Sequence, residues 1–170
     1  MPTPPLLVTL AMDAQSFEHF NALRQRHFSP ERNHIPAHIT LFHHLPGDEE
    51  PAIHQVLSQR AEAHKRFAMR TTDLWMMGFG VAYRIESSDA QALRRELAAT
   101  FAAWLTPQDA QPGFKPHITV QNKTSAELAK ALHAQLAADF ESQEITAVGL
   151  DLWRYLGGPW QHVKRFDFTA

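Results

Sequence analysis

The order strand, helix, strand, helix, strand runs through this 170-residue chain twice, and the middle strand of each copy carries the same tripeptide, His-Ile-Thr. The copies are His38-Ile39-Thr40, inside Ile35-Pro-Ala-His-Ile-Thr-Leu-Phe42, and His117-Ile118-Thr119, inside Phe114-Lys-Pro-His-Ile-Thr-Val120. In an extended segment successive side chains point to opposite faces, so each copy offers an imidazole and a hydroxyl side by side while the isoleucine points into the core. Alternation predicts Leu41 on the buried face of the first strand, with Phe42 and His44 beside His38. In the second it predicts Val120 buried, with Gln121 and Lys123 beside His117. A proline shortly before each copy, Pro36 and Pro116, suits a strand's beginning, where a missing N–H costs little.

The repeated order is legible from periodicity and caps. Leu6 to Met12 reads as a strand, and Asp13 can cap a helix with Phe17, Phe20 and Leu23 on one side. After the first His-Ile-Thr strand comes a helix from about Asp48 with Ile53, Val56 and Leu57 as its stripe, then a strand over Phe67 to Met76. Gly78-Phe-Gly80 is a turn signal, after which the order restarts. Val81 to Ile85 is a strand, and Ser88 with Gln91 makes a capping-box start for a helix carrying Leu93, Leu97 and Phe101. The second His-Ile-Thr strand precedes another capping box, Thr124 with Glu127, and a helix with Leu128, Leu132 and Leu136. Strands over Ile145 to Tyr155 and Gln161 to Phe168 close the chain. One domain is expected, formed by repeats of about 5–76 and 79–168; either copy alone would mean little, but two in register point to a paired site.

Composition narrows the class. There is no cysteine, so neither a disulfide framework nor thiolate chemistry is available. The first ten residues lack the basic region and long apolar run of a signal peptide, and no later stretch is long and apolar enough to span a bilayer, so a cytoplasmic protein without membrane contact is expected. A formal net charge of −2 argues against coating long nucleic acid, which rests on neutralising many phosphates. An RNA partner would be gripped at an end, and the eleven histidines would turn the charge positive on mild acidification. His34, His38, His43 and His44 cluster in sequence, but alternation sends His43 away from His38 and His44, and zinc needs three or four converging ligands. No metal is expected. The His-x-His-x-His run of histidine-triad hydrolases is absent.

With its paired His-x-Thr motifs and the prolines before them, the chain resembles the 2H phosphoesterase superfamily, specifically its bacterial 2′-5′ RNA ligase and RNA 2′,3′-cyclic phosphodiesterase-like members. The resemblance covers the whole chain in element order. It implies an α+β fold of two pseudo-symmetric lobes, with mostly antiparallel strands lining a central cleft and helices outside. It also implies that His38, Thr40, His117 and Thr119 are the catalytic quartet: one histidine as general base, the other as general acid, and the threonines as hydrogen-bond donors to nonbridging phosphate oxygens. Such a mechanism requires no metal or other cofactor. The expected activity is opening of 2′,3′-cyclic phosphates at RNA ends or on small nucleotides by a monomer. Alternatives are 2′-5′ RNA ligation, action on a small cyclic nucleotide such as ADP-ribose 1″,2″-cyclic phosphate, or a noncatalytic RNA-end-binding module. Family members often carry an arginine shortly after the second motif, where this chain has Val120-Gln-Asn-Lys123. Further candidate substrate contacts are Phe42, Gln121, Lys123, Trp153 and Tyr155.

Overall fold

The structure, a computed structural model, describes residues 2–170. Its regular elements are β1 (Leu6–Met12), α1 (Ala14–His27), β2 (Ile39–Leu45), α2 (Glu50–Ala63), β3 (Phe67–Met76), β4 (Val81–Glu86), α3 (Ser88–Thr100), α4 (Pro107–Ala110), β5 (His117–Gln121), α5 (Ala126–Ala138), β6 (Glu144–Tyr155) and β7 (Trp160–Asp167). The seven strands form one open sheet in the order β2-β1-β6-β3-β4-β5, with β7 beside β6, and every ladder is antiparallel.

That order is its own mirror when the first repeat is exchanged for the second, but the halves are not sequence-contiguous. β1 and β2 of the first repeat are completed by β6 of the second, and β4 and β5 of the second by β3 of the first. Strand pairing joins the halves only where Phe67–Arg70 of β3 pairs with Glu144–Ala147 of β6; beyond that junction β3 continues along β4, and β6 along β1 and β7. The His-Ile-Thr strands therefore occupy the two outer ends of the path, and the sheet curls enough to bring β2 and β5 into contact. β7 has no counterpart in the first repeat.

The core lies on the side covered by the helices. Leu6, Val8 and Leu10 of β1, Ile39 and Leu41 of β2, Leu150 and Leu152 of β6, Phe20 of α1, Ile53 and Leu57 of α2, and Leu93, Leu97 and the following Phe101 of α3 merge into one buried cluster. Each large side chain of this kind contributes about 1.5–3 kcal/mol through burial.

Helix starts follow local hydrogen bonding more closely than sequence pattern. Asp13 does cap α1, its carboxylate accepting from the Ser16 N–H at 2.9 Å. In α3 the cap is Ser87, not Ser88: Ser87 continues the extended path of β4, donates its hydroxyl to the Ala68 carbonyl of β3, and accepts from the Ala90 N–H. In α5 it is Ser125, not Thr124: the Ser125 hydroxyl accepts from the Leu128 N–H, while the Thr124 N–H bonds to the Phe79 carbonyl. α2 begins at Glu50 after a 3₁₀ turn over Gly47–Glu49, with a proline in its first turn.

Candidate active site

Both histidines are set up in the same way. His38 Nδ1 donates to the Pro36 carbonyl at 2.8 Å, and His117 Nδ1 donates to the Lys115 carbonyl at 2.9 Å. Each bond holds the proton on Nδ1 and leaves Nε2 as the free nitrogen, which is how a ring is prepared to accept or deliver a proton at its outer edge. The threonines keep register with the same face: Thr40 lies opposite Thr9 of β1, and Thr119 opposite Ala82 of β4. Ile39 and Ile118 are fully buried on the other face. Thr119 Oγ1 is 4.0 Å from the Met77 sulfur, within reach as a weak donor.

Two arginines tie the repeats together at these strands. Arg24 of α1, 3% exposed, donates from Nη1 to the Thr119 carbonyl at 2.7 Å and from Nε to Asn33 Oδ1, with its guanidinium 4.0 Å from the Phe28 ring centre. Reciprocally, Arg94 of α3 donates from Nε to the Leu41 carbonyl at 2.7 Å and from Nη2 to the Asp109 carbonyl, and lies 4.0 Å over the Phe42 ring. Each repeat's first helix thus grips the other repeat's motif strand, which fixes the relative position of the two histidines.

The electrostatics follow from this convergence. Burial pushes the His38 ring well below its ordinary value, to about 4, and the positive charges of Arg24, His117 and His43 push the same way against the Pro36 carbonyl. His117 is also lowered, by burial first and then by His43, against the Lys115 carbonyl. Arg24 itself is lowered to about 10 by burial. The site is a place where several cationic groups crowd one another, which favours an anionic ligand.

Aromatic side chains flank each histidine. Trp160 of β7 packs against His38 with ring centres 4.7 Å apart, and Trp75 of β3 meets the His117 ring edge-on at 5.1 Å. Trp153, one of the expected contacts, is half-buried, donates its indole N–H to Thr9 Oγ1 at 2.9 Å, and packs edge-on against Trp160 and His162. With His38, Thr9, Asp151, His162 and Arg165 it lines a cavity of about 250 Å³. Asp151 is buried there, held by both nitrogens of the Arg165 fork and by His162.

Other expected contacts lie elsewhere. Phe42 is fully buried, edge-on to Phe101 in the core and under Arg94, not beside His38. The reason is a β-bulge: Thr40 pairs with Thr9 but Phe42 with Val8, leaving Leu41 as an extra residue, so the alternation reverses. The second strand bulges at the same place, since Thr119 pairs with Ala82 and Gln121 with Val81. Gln121 is accordingly buried, with Oε1 lacking a hydrogen-bond partner in the protein. A Cβ at Gly80, beside this bulge, would approach the Gln121 carbonyl to 2.1 Å, so only glycine fits. Lys123 does not extend the His117 face: the strand ends at Gln121, and Lys123 sits exposed in a left-handed turn at φ 58°. Tyr155 is 41% exposed at the end of β6, opposite Trp160.

The bulged region also corrects the expected position of His43. A second irregularity follows Phe42, before Leu45 pairs with Leu6, and both His43 and His44 end up exposed, away from the core face. Asp109 of α4, buried at their edge, accepts from the His43 and His44 backbone N–H groups and from His43 Nδ1 at 3.0 Å. Against the cost of burying it, these bonds hold the Asp109 carboxyl below its usual range. Sequence reasoning misses Trp75, Trp160, Arg24, Arg94 and Asp109; Arg24 and Arg94 lie on the first helix of each repeat, and that equivalence is the signal that could have found them. Among the described residues, no group of three or more His, Asp or Glu side chains is placed to hold a metal ion, and no helix is long and apolar enough to cross a membrane.

Residues 12–159 match the model of the 2′-5′ RNA ligase superfamily. The chain belongs to that superfamily. No curated protein sequence matches it. Among solved structures, TT0787 of Thermus thermophilus superposes with a TM-score of 0.68 at 16% identity, covering 98% of both chains. LigT of E. coli complexed with 3′-AMP gives 0.62 at 19% identity, covering 98% of this chain and 99% of that one. The complex of LigT with phosphate gives 0.60 at 18% identity over the whole of both chains. At such identities the likeness shows that this member of the 2′-5′ RNA ligase superfamily shares their fold, a mixed α+β fold around an open antiparallel sheet.

Proposed function

We propose that this chain opens 2′,3′-cyclic phosphates, at RNA ends or on small nucleotides, by general acid–base catalysis between His38 and His117. The observation that carries the reading is the matched pair of rings: each has Nδ1 tied to the carbonyl two residues earlier and Nε2 free, on outer strands that touch. In-line opening needs one group to take a proton from the attacking water and a second to give one to the departing ribose oxygen. A bond forms between the water oxygen and phosphorus as the bond from phosphorus to one ribose oxygen breaks. His38, the more strongly depressed ring, is the one ready to accept the water's proton at Nε2. His117 delivers its Nε2 proton to the ribose oxygen, once an anionic substrate has offset the repulsion that lowers it. Thr40 and Thr119 donate to the nonbridging oxygens, where charge grows in the transition state.

Membership of a superfamily named for 2′-5′ RNA ligase favours a second reading on the same residues. There the 5′-hydroxyl of a second RNA end replaces water: the base takes its proton as its oxygen bonds to phosphorus, and the acid gives a proton to the departing 3′-oxygen, so that opening the ring joins the two ends through a 2′-5′ linkage. That E. coli LigT has been solved with 3′-AMP, phosphate, ATP and NADP⁺ supports a nucleotide-sized ligand for either direction. Incubating the purified, chelator-treated protein with cyclic mononucleotides, cyclic-ended oligonucleotides and paired RNA ends tests both readings. Conversion of a cyclic phosphate to a single monoester is expected; absence of turnover on every substrate would overturn them.

A further inference from the structure

His43 has a hydrogen-bonded carboxylate, a free ring nitrogen and a place on the strand that carries the first motif, yet the proposed reaction gives it nothing to do. Its Nδ1 is taken by Asp109 Oδ1 at 3.0 Å, which leaves Nε2 as the open nitrogen of a side chain that is 46% exposed. Asp109, with its side chain only 1% exposed, is held in turn by two backbone N–H groups, so the ring stands on a fixed base. The two irregularities in β2 put His43 and His44 off the core face, and β2 borders β5. The His43 charge is felt at both His38 and His117, so it lies within electrostatic reach of both.

His43 is displaced along the strand from the phosphate that Thr40 would hold. It stands three residues beyond Thr40, which, at about 3.3 Å per residue less the shortening of a bulge, is on the order of 7–10 Å along the strand. An imidazole backed by a buried carboxylate, with its Nε2 open at that distance from a phosphate site, suits a second anionic group on the same ligand, with which it can share a proton. We propose that His43, oriented by Asp109, binds a second phosphate of the substrate, so that the cleft is adapted to a nucleotide carrying a 5′-phosphate or internucleotide phosphate as well as the reacting one. His43 is then a specificity residue and Asp109 a positioning residue. This inference rests on the proposed cleft chemistry, and names an RNA end, not a nucleoside cyclic phosphate, as its preferred substrate.

Binding can test it without turnover. Adenosine 3′-phosphate and adenosine 3′,5′-bisphosphate are titrated into the wild-type chain, His43→Ala and His43→Asn by calorimetry. Asparagine retains an N–H donor for Asp109 but lacks the Nε2 position, so it separates ligand contact from support of the bulge. The wild type should prefer the bisphosphate by about tenfold, equivalent to 1.4 kcal/mol, and both variants should bind the two probes about equally. A wild-type ratio near one, a ratio that survives in the variants, or an equal weakening of both probes would overturn the proposal. A parallel assay on the 2′,3′-cyclic phosphates of adenosine and of 5′-phosphoadenosine keeps the readings apart: a collapsed binding ratio without any ring opening would sink the reaction while leaving the second phosphate contact standing.

Discussion

The two His-Ile-Thr strands begin alike and diverge three residues later. Both histidines bond to the carbonyl two residues back, both threonines sit in register on the inner neighbour strand, and both strands bulge at the next residue. Beyond the bulge, the first strand buries Phe42 and offers two histidines clamped by Asp109, whereas the second buries Gln121 with an unpaired oxygen and ends in the Lys123 turn. Arg24 lowers His38 but is not among the groups that lower His117. In the proposed reaction the duplicated motif supplies two similar proton carriers, and the unduplicated surroundings make them different, as a division into acid and base would require.

The largest effect expected from breaking the comparison is at the rings. His38→Ala and His117→Ala should each lower kcat for cyclic-phosphate opening by roughly 10²–10⁴-fold, measured with saturating substrate against melting curves that show intact folding. If the pair acts as one unit, the double variant should lose little more than the worse single variant. Full activity in either single variant would remove the two-histidine mechanism.

Next comes the grip of α1 on β5. Arg24→Met removes a buried cation and leaves the Thr119 carbonyl and Asn33 without their donor, which should cost about 2–4 kcal/mol of stability in denaturant unfolding. It should also sharpen the asymmetry argument in a way that packing alone would not. With the Arg24 charge gone, His38 holds its proton more readily, so the acidic limb of kcat/KM should move to higher pH. Arg94→Met, which releases the Leu41 carbonyl, should destabilise comparably without that movement, because Arg94 is not among the groups that depress His38.

The same depression has a consequence for stability. The folded His38 ring titrates near 4, below its unfolded value of about 6.5, so as pH falls below that value the unfolded chain takes up a proton that the folded chain resists. Stability contributed by the neutral ring is complete above about 6.5 and lost as pH falls through the folded value. For a half-buried ring this is on the order of 1–3 kcal/mol. His38→Gln should flatten that part of the stability profile, while His117→Gln should flatten it less.

Much of this architecture is legible in the chain. The element order, the caps to within a residue and the shared face of each His-Thr pair follow from local rules: period, capping chemistry and alternation act over a few residues. Apart from Lys123, lost to a local left-handed turn, the placements that fail depend on longer-range pairing. A bulge depends on the register between two strands, which no single strand encodes, so alternation alone puts Phe42, Gln121 and His43 each on the wrong face. The exchange of β3 and β6 between halves is likewise a matter of topology. Arg24 looks in sequence like an ordinary helical cation, and only the approach of α1 to β5 turns it into a buried clamp. Trp153 stands out as a candidate from β6 alternation, which does not say which face of the strand meets the site, and its neighbour Trp160 lies on the one strand that has no counterpart in the first repeat.

The smallest effect concerns the residues that follow the two bulges. Phe42 and Gln121 stand at equivalent positions, and only the first is suited to burial; Gln121 Oε1 is held from solvent without a partner. Leaving a buried amide oxygen unpaired costs about 1–3 kcal/mol, whereas an apolar side chain of similar length has no such requirement. Gln121→Met should therefore raise stability by about 1 kcal/mol, after allowing for imperfect packing of the new side chain, read as a higher denaturant midpoint at unchanged slope. The same variant separates two roles for the residue. If Gln121 serves only to fill the space behind His117, KM for a cyclic nucleotide stays at its wild-type value; a severalfold rise in KM together with the higher midpoint would mean that the unpaired oxygen is kept for the substrate, and that the second strand differs from the first in what it binds as well as in how it packs.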